Sequence, residues 1–321
     1  MRRLTVLLLG LAFLLPLLSC GQHELGPAVT GGFTPAELDH PSFLWKVEKD
    51  DTVAWLFGTM HFAHPKVTTL PLEVEEAFAA ADAIFTEIEE TPSLGGHIAK
   101  LGAAPSGTTL ADALPADLHA RLGDYLASRG LPRSQLNGFR PWMATTTLGQ
   151  LDAIPYNRYG VKLDVQLMHR AREQGKEFGT IETVDEQIAS LTIGTEADHV
   201  HMLDVTLERL VQEQAEGVTS VERLFELYLS GDERALWDFA MSETDLDDPV
   251  QAAWLKSLLS DRNLRMASRV HARLREKPSS KVLFAFGALH FVGPEGVGEH
   301  LKSLGYSVTR VPHRPRTEAA Q

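Results

Sequence analysis

The apolar positions of this chain change period along its length. Phe43–Val47 and Val53–Phe57 are short runs rich in aromatic and β-branched residues, split by the charged Lys49-Asp50-Asp51. They read as a β-hairpin. Pro71 then falls in the first turn of a helix through about Ala80, and Ala83–Ile88 is a further strand-like run that carries one acid, Glu87. Between about 95 and 275 the spacing lengthens to that of helices. Gly95–Ala104 reads as partly loop. Leu118–Ser128, Pro141 to about Leu151, Gly160 to Glu173, Glu196–Glu213, Ser220–Leu229, Glu233–Met241 and Pro249–Arg275 read as helices. A lone strand-like run, Phe178–Ile181, interrupts them and is followed at once by Thr183-Val184-Asp185-Glu186, a capping box. Strand-like runs return at Lys281–Phe286 and Ser307–Val311, with a helix at Pro294–Ser303 between them. The expectation is an α/β fold whose central mixed sheet is built from both chain ends, with a large helical insertion over about 95–275.

One short pattern occurs twice. Phe57-Gly58-Thr59-Met60-His61-Phe62-Ala63-His64-Pro65 and Phe286-Gly287-Ala288-Leu289-His290-Phe291-Val292-Gly293-Pro294 are both Phe-Gly-x-x-His-Phe-x-x-Pro. Each copy follows a strand-like run and precedes a helical pattern opened by proline. The glycine allows a sharp turn and a close backbone approach. Each histidine then sits just past the carboxyl end of a strand, where open α/β sheets place their ligands. His61 and His290 are therefore expected to face each other across one site. Imidazoles so placed serve as a metal site or as an acid/base pair.

Other residues add to this picture. Glu87 lies in a run apolar enough to be buried on both faces, where a carboxylate is costly unless a metal or a cation pairs with it. Glu89 and Glu90 read as exposed charges at the strand end. Glu182 stands directly before the capping box, where a helix N-terminus stabilises an anion. Arg262 lies four residues after Leu258 and four before Met266, so it points inward with its neighbour Asn263 on the last long helix. A buried guanidinium needs a carboxylate or a bound anion. Asp164, on the inner face of its own helix, is one expected partner. His64 is the best of the remaining histidines, but the second copy has Gly293 in its place. The chain holds no Gly-x-Ser-x-Gly elbow, no phosphate-binding glycine loop and no His-Glu-x-x-His, so serine nucleophiles and nucleotide binding lack support.

Composition narrows the class. A charged fraction of 23% and an apolar fraction of 44% fit a globular protein. Arg2 and Arg3 precede an apolar run, Leu4–Leu15, that ends at Leu17-Leu18-Ser19-Cys20. This is the pattern of a lipoprotein signal peptide over residues 1–19, with lipidation expected at Cys20. Residues 20–38 read as a flexible tether, 39–313 as the α/β domain and 314–321 as a disordered tail. Cys20 is the single cysteine, which excludes an internal disulfide and a thiolate nucleophile in the domain. The net charge of −13 makes a poor binder of nucleic acid and of anionic lipid, so membrane attachment would rest on acyl chains. The expected location is the bacterial cell envelope, on the outer membrane facing the periplasm if the cell is Gram-negative.

Together these pieces resemble the TraB/GumN family, which is related to the Tiki metalloproteases. The matching residues are Gly58-Thr59-Met60-His61, Glu87, Arg140-Pro141-Trp142, and Tyr159-Gly160-Val161-Lys162-Leu163-Asp164 through to Gly175-Lys176. They continue with Ile181-Glu182-Thr183, Glu186-Gln187, Arg262-Asn263 and Gly287-Ala288-Leu289-His290. The resemblance implies a fold like that of erythromycin esterases and the haem-binding ChaN lipoproteins. It also implies a divalent-metal site (manganese, cobalt or zinc) at His61, His290 and Glu87, with Glu182 as a further acidic partner. The leading expectation is a lipid-anchored metal-dependent hydrolase of peptide or small-molecule substrates. Glu87 or Glu182 would act as ligand or general base, with Arg262 and Asn263 completing the catalytic set. The alternatives are a non-catalytic envelope protein that binds a peptide, haem or metal, and a metal-independent hydrolase using His61 as base.

Overall fold

The computed structural model describes residues 32–91 and 93–316. The expected signal peptide, Cys20 and the first part of the tether lie outside them. The strands among the described residues are β1 (Phe43–Lys49), β2 (Thr52–Thr59), β3 (Ala83–Thr86), β4 (Glu177–Thr180), β5 (Val282–Gly287) and β6 (Ser307–Arg310). They form one sheet in the order β4-β3-β5-β2-β1-β6. Both chain ends thus contribute to it, as the hydrophobic pattern implies.

The hairpin pairs Phe43 with Gly58 through to Lys49 with Thr52. Its turn places Asp50 at φ 51°, a left-handed conformation that aspartate tolerates better than most residues. β6 covers the outer edge of β1 in antiparallel register. The other half of the sheet is parallel: β2 with β5, β5 with β3, and β3 with β4. Val282–Phe286 of β5 are buried throughout, as a central parallel strand covered by helices on both faces requires.

The helices fill the two long crossovers around β4. One set, ending in helix Leu163–Glu173, connects β3 to β4. The other runs from helix Val184–Leu191 to helix Asp261–Glu276 and leads into β5. The main core lies between the sheet and its covering helices. A second cluster, around Trp142, Met143 and Trp254, binds the insertion together.

Several boundaries differ from the sequence expectation. β3 stops at Thr86, so Glu87 lies just past the strand rather than in it. Leu94–Gly102 is a full helix: Leu94 and Ile98 pack with Trp142 and Met143, and this burial outweighs the low helix propensity of Gly95 and Gly96. The helix expected from Gly160 begins at Leu163, because Gly160 has φ 127°, which no right-handed helix accommodates. The tether is structured over its last residues, where Thr34 caps the short helix Pro35–Leu38. The start of the tail is held as well: Arg316 donates to Leu70 O at 2.6 Å and to Asp39 Oδ2 at 2.8 Å.

Candidate active site

Four neighbouring parallel strands deliver four of the expected residues to one edge of the sheet. In spatial order these are Glu182 after β4, Glu87 after β3, His290 after β5 and His61 after β2. All point from carboxyl ends, the edge where sheets of this type bind ligands. The pairing of Thr59 with Gly287 sets the two histidine loops side by side. The β3–β4 ladder continues past the strands, with Glu182 N donating to Glu87 O at 2.8 Å, so the two glutamates are neighbours too.

Each histidine is held through Nδ1. His61 Nδ1 bonds Asp164 Oδ2 at 2.8 Å, and Thr59 donates to the other oxygen at 3.1 Å. Asp164 is in the first turn of helix Leu163–Glu173, whose first amide donates to Phe62 O. His290 Nδ1 bonds Asn263 Oδ1 at 2.7 Å. Asn263 Nδ2 donates to Glu295 O at 2.8 Å, which orients the amide with its oxygen toward the imidazole. Both Nε2 atoms then converge on Glu87 Oε1, at 3.6 Å from His61 and 3.8 Å from His290.

Glu87 is the hub of the site. Its Oε1 accepts the Gly287 amide at 2.7 Å, and its Oε2 accepts Arg262 at 2.6 Å and Gln187 at 2.9 Å. Burial opposes ionisation, but the Arg262 guanidinium and the histidines hold this carboxyl well below the usual range. Arg262 also grips Glu182, with Nη2 at 2.7 Å and Nε at 3.0 Å. All three side chains are buried. The expected Arg262–Asp164 pair does not form: Arg262 serves the two glutamates, and Asp164 serves His61. The Arg262 helix follows a π-helical turn, Lys256–Ser260, a distortion frequent at functional sites.

The partners of the two imidazoles set their charges. Burial alone would make His61 a weaker base, but the Asp164 and Glu87 carboxylates outweigh it and raise its pKa to about 10. Burial and the Arg262 charge push His290 down to about 3, against the pull of Glu87. Behind His290 stands an amide, which lacks the charge that Asp164 supplies behind His61. The surroundings thus favour a proton on His61 and a neutral His290, as an acid and a base would be set.

The donor chemistry suits a divalent ion. Each Nδ1 is tied to an acceptor, which turns Nε2 inward, the usual support of metal-bound histidine. The space between the donors is where Gly287 lacks a side chain: a Cβ there would lie 3.2 Å from Glu87 Oε1 and 3.4 Å from His61 Nε2. Among the described residues no group of three or more His, Cys, Asp or Glu side chains is spaced to hold a metal ion as it stands, so the side chains would have to close in around one. An ion would displace the Nε2 proton of His61.

The same loops wall a cavity of about 50 Å³ beside the histidines, reached by Thr59, His61, Arg262 and His290. Glu182 stands behind Arg262 rather than on this wall, and Asn263 acts on His290 alone. Gln187, among the residues that carry the family resemblance but given no role there, bridges Glu87 and Glu182; its spacing of four from the buried Leu191 marks it as inward-facing. Glu90 is not the exposed charge expected. It is half-buried 3.7 Å from Lys162, and burial, reinforced by Asp164, raises its pKa. His64 caps helix Pro65–Thr68 and packs against Tyr159 and Phe225, a structural position.

Comparison with known proteins identifies the family. The model of the TraB/PrgY/gumN family matches residues 43–310. The chain belongs to that family. Similar proteins include metalloprotease TIKI1 of Danio rerio, 27% identical over 85% of this chain and 64% of the relative. Metalloprotease TIKI2 of Danio rerio is 29% identical over 94% of this chain and 68% of the relative. Metalloprotease TIKI1 of Homo sapiens is 27% identical over 87% of this chain and 63% of the relative. The chain thus spans about two-thirds of the length of these TraB/PrgY/gumN relatives. No solved structure matches it.

Proposed function

We propose that this protein is a lipid-anchored, metal-dependent hydrolase of peptides in the bacterial cell envelope. The carrying observation is the convergence of His61 Nε2 and His290 Nε2 on Glu87 Oε1, beside the space left by Gly287. Relatives named metalloproteases support the reaction class. His61, His290 and Glu87 would hold the ion, which when bound supplies a Lewis acid for a carbonyl and for water. Asp164 and Asn263 orient the two imidazoles. Arg262 balances the charge of Glu87 and Glu182 at the cavity wall, which keeps the Glu87 carboxylate ionised and in place. Glu182 holds Arg262 in place, which suits it to positioning rather than to proton transfer. Anchoring through Cys20 rests on the lipobox pattern. Among the described residues no helix is long and apolar enough to cross a membrane.

The test is metal content by elemental mass spectrometry after loading with manganese, cobalt or zinc, with peptide turnover measured in parallel. His61→Ala and His290→Ala are expected to lose both the ion and turnover while remaining folded. Full activity in either variant sinks the assignment. Activity that survives exhaustive chelation points instead to the protonated and neutral imidazoles working as a metal-free acid/base pair. Tight binding of peptide or haem without product makes the protein a binder. Membrane partitioning that persists in Cys20→Ser removes the lipid anchor from the proposal.

A further inference from the structure

We propose that the cavity beside the histidines is a specificity pocket for one medium-sized aliphatic side chain, a leucine or methionine next to the scissile bond. This rests on the peptide-hydrolase reading above. The pocket wall facing away from the sheet comes from the helical insertion. Leu224 and Tyr228 stand on helix Ser220–Ser230, Leu236 on helix Glu233–Ser242, and Leu258 and Leu259 on the π-helical turn. Met60, between β2 and His61, closes the floor. All six are buried.

Apart from the two imidazole Nε2 atoms, which converge on Glu87 at the sheet edge, the polar side-chain atoms lining the cavity are already committed. The Tyr228 hydroxyl donates to Gly58 O at 3.1 Å, and Thr59 donates to Asp164. Arg262 reaches the cavity, but Glu87 and Glu182 hold its Nε and Nη2, and its Nη1 donates to Leu258 O at 3.4 Å. A charged or amide side chain entering here would exchange water for apolar walls and a guanidinium whose charge is already balanced, which is costly. Size narrows the choice further. A cavity of about 50 Å³ exceeds the roughly 10–15 Å³ that one water needs and is well below the roughly 150 Å³ that takes a benzene ring, so it suits an aliphatic rather than an aromatic side chain. The sheet edge would thus supply the chemistry and the helical insertion the selectivity.

The experiment uses the full chain, loaded with metal, and a peptide panel in which one residue at a time is scanned. At one position the kcat/KM for leucine or methionine is expected to exceed that for aspartate or lysine by about 100-fold or more. Leu236→Trp fills the cavity and is expected to move the preference to alanine or glycine without loss of the ion. Should that variant misfold, Leu259→Ala enlarges the cavity and should move the preference to phenylalanine. A second measurement needs no turnover: N-acetyl-leucine methylamide should bind the metal-free full chain by ligand-observed NMR, N-acetyl-aspartate methylamide should not, and Leu236→Trp should abolish the signal. Peptides cleaved without side-chain preference overturn the pocket and leave the hydrolase reading standing. No peptide cleaved, with the leucine amide bound and lost in Leu236→Trp, overturns the hydrolase and leaves the pocket standing. Failure of both amides to bind, without discrimination in turnover, removes the pocket.

Discussion

Gly287→Ala should separate metal binding from folding. Gly287 has φ −50° and ψ 133°, a conformation open to any residue, so alanine adds no backbone strain. The new methyl would sit 3.2 Å from Glu87 Oε1, 3.4 Å from His61 Nε2 and 3.7 Å from His290 Cδ2. The closest of these contacts asks Glu87 to give by a few tenths of an ångström, so the cost in stability should stay near about 1 kcal/mol. A divalent ion sits about 2.0–2.2 Å from nitrogen and oxygen ligands. Ion and methyl would therefore claim the same volume. Metal affinity should fall by at least about 100-fold, since a displaced ligand costs no less than the loss of a supporting partner. Urea unfolding gives the stability, and calorimetric titration with metal gives the affinity. An alanine variant that keeps a stoichiometric ion at wild-type affinity would refute the reasoning, because the ion would then not lie among these three donors.

Arg262→Met leaves Glu87 and Glu182 buried without the guanidinium that both contact. Their Oε2 atoms, at 2.6 and 2.7 Å from one Nη2, would repel by about 3 kcal/mol at an effective dielectric of about 20. A total loss of about 3–5 kcal/mol in urea unfolding is expected, with much of it recovered in Arg262→Met/Glu182→Leu; a single variant as stable as wild type would contradict the ion-pair account. Asp164→Asn should weaken metal retention about 10–100-fold with little change in far-ultraviolet circular dichroism, and unchanged retention would show that Asp164 does not support His61 as a ligand. His64 is held neutral, its pKa lowered to about 4 by burial and by Lys66 and Arg158. The unfolded chain takes up this proton first, so stability is full above about pH 6.5 and falls as pH drops toward about 4, by on the order of 1–2 kcal/mol after solvent screening. His64→Asn keeps an N-cap acceptor and should flatten that slope in unfolding measured against pH; an unchanged slope would place the acid sensitivity elsewhere.

The parts of the fold that are local in sequence are legible in it. The hairpin, the fully buried β5 and the Thr183 capping box each follow from a few adjacent residues. The duplicated Phe-Gly-x-x-His brings two histidines to one site without any knowledge of strand order. What the chain does not show is which inward-facing charges meet. The helical spacing turns Arg262 and Asp164 toward the core, and opposite signs make them natural partners. The sheet instead places Glu87 and Glu182 under the helix of Arg262 and His61 above that of Asp164. The role of Gln187 stays hidden, although the residue belongs to the matching motif, because a glutamine in a helix carries no pattern beyond its inward face. The π-helical turn is hidden inside what reads as one helix from Pro249, because inserting one residue into a turn leaves the apolar spacing almost intact.

The two copies of the motif are alike in sequence and unlike in use, and the glycines show it first. Neither needs a positive φ. A Cβ on Gly58 would meet Phe43 Cβ at 2.7 Å and the Ala288 backbone at 3.0 Å, so that glycine lets the hairpin and the second motif pack together. A Cβ on Gly287 would meet only site atoms, so that glycine keeps the space between the donors open. The histidines diverge in the same way. A carboxylate stands behind one and an amide behind the other, while a single buried Glu87 faces both. A symmetric pair sharing one carboxylate would titrate as a coupled pair, with neither imidazole favoured for the first proton. The exchange of aspartate for asparagine, with Arg262 near only one end of the pair's pKa balance, lets one imidazole carry a proton while its neighbour presents a lone pair across the same small space. Making Asn263→Asp would restore the symmetry. The expected result is a second protonated imidazole at neutral pH in the metal-free protein, read by nitrogen-detected NMR of the imidazoles. A variant whose His290 stays neutral would show that Arg262, and not the amide, sets the difference.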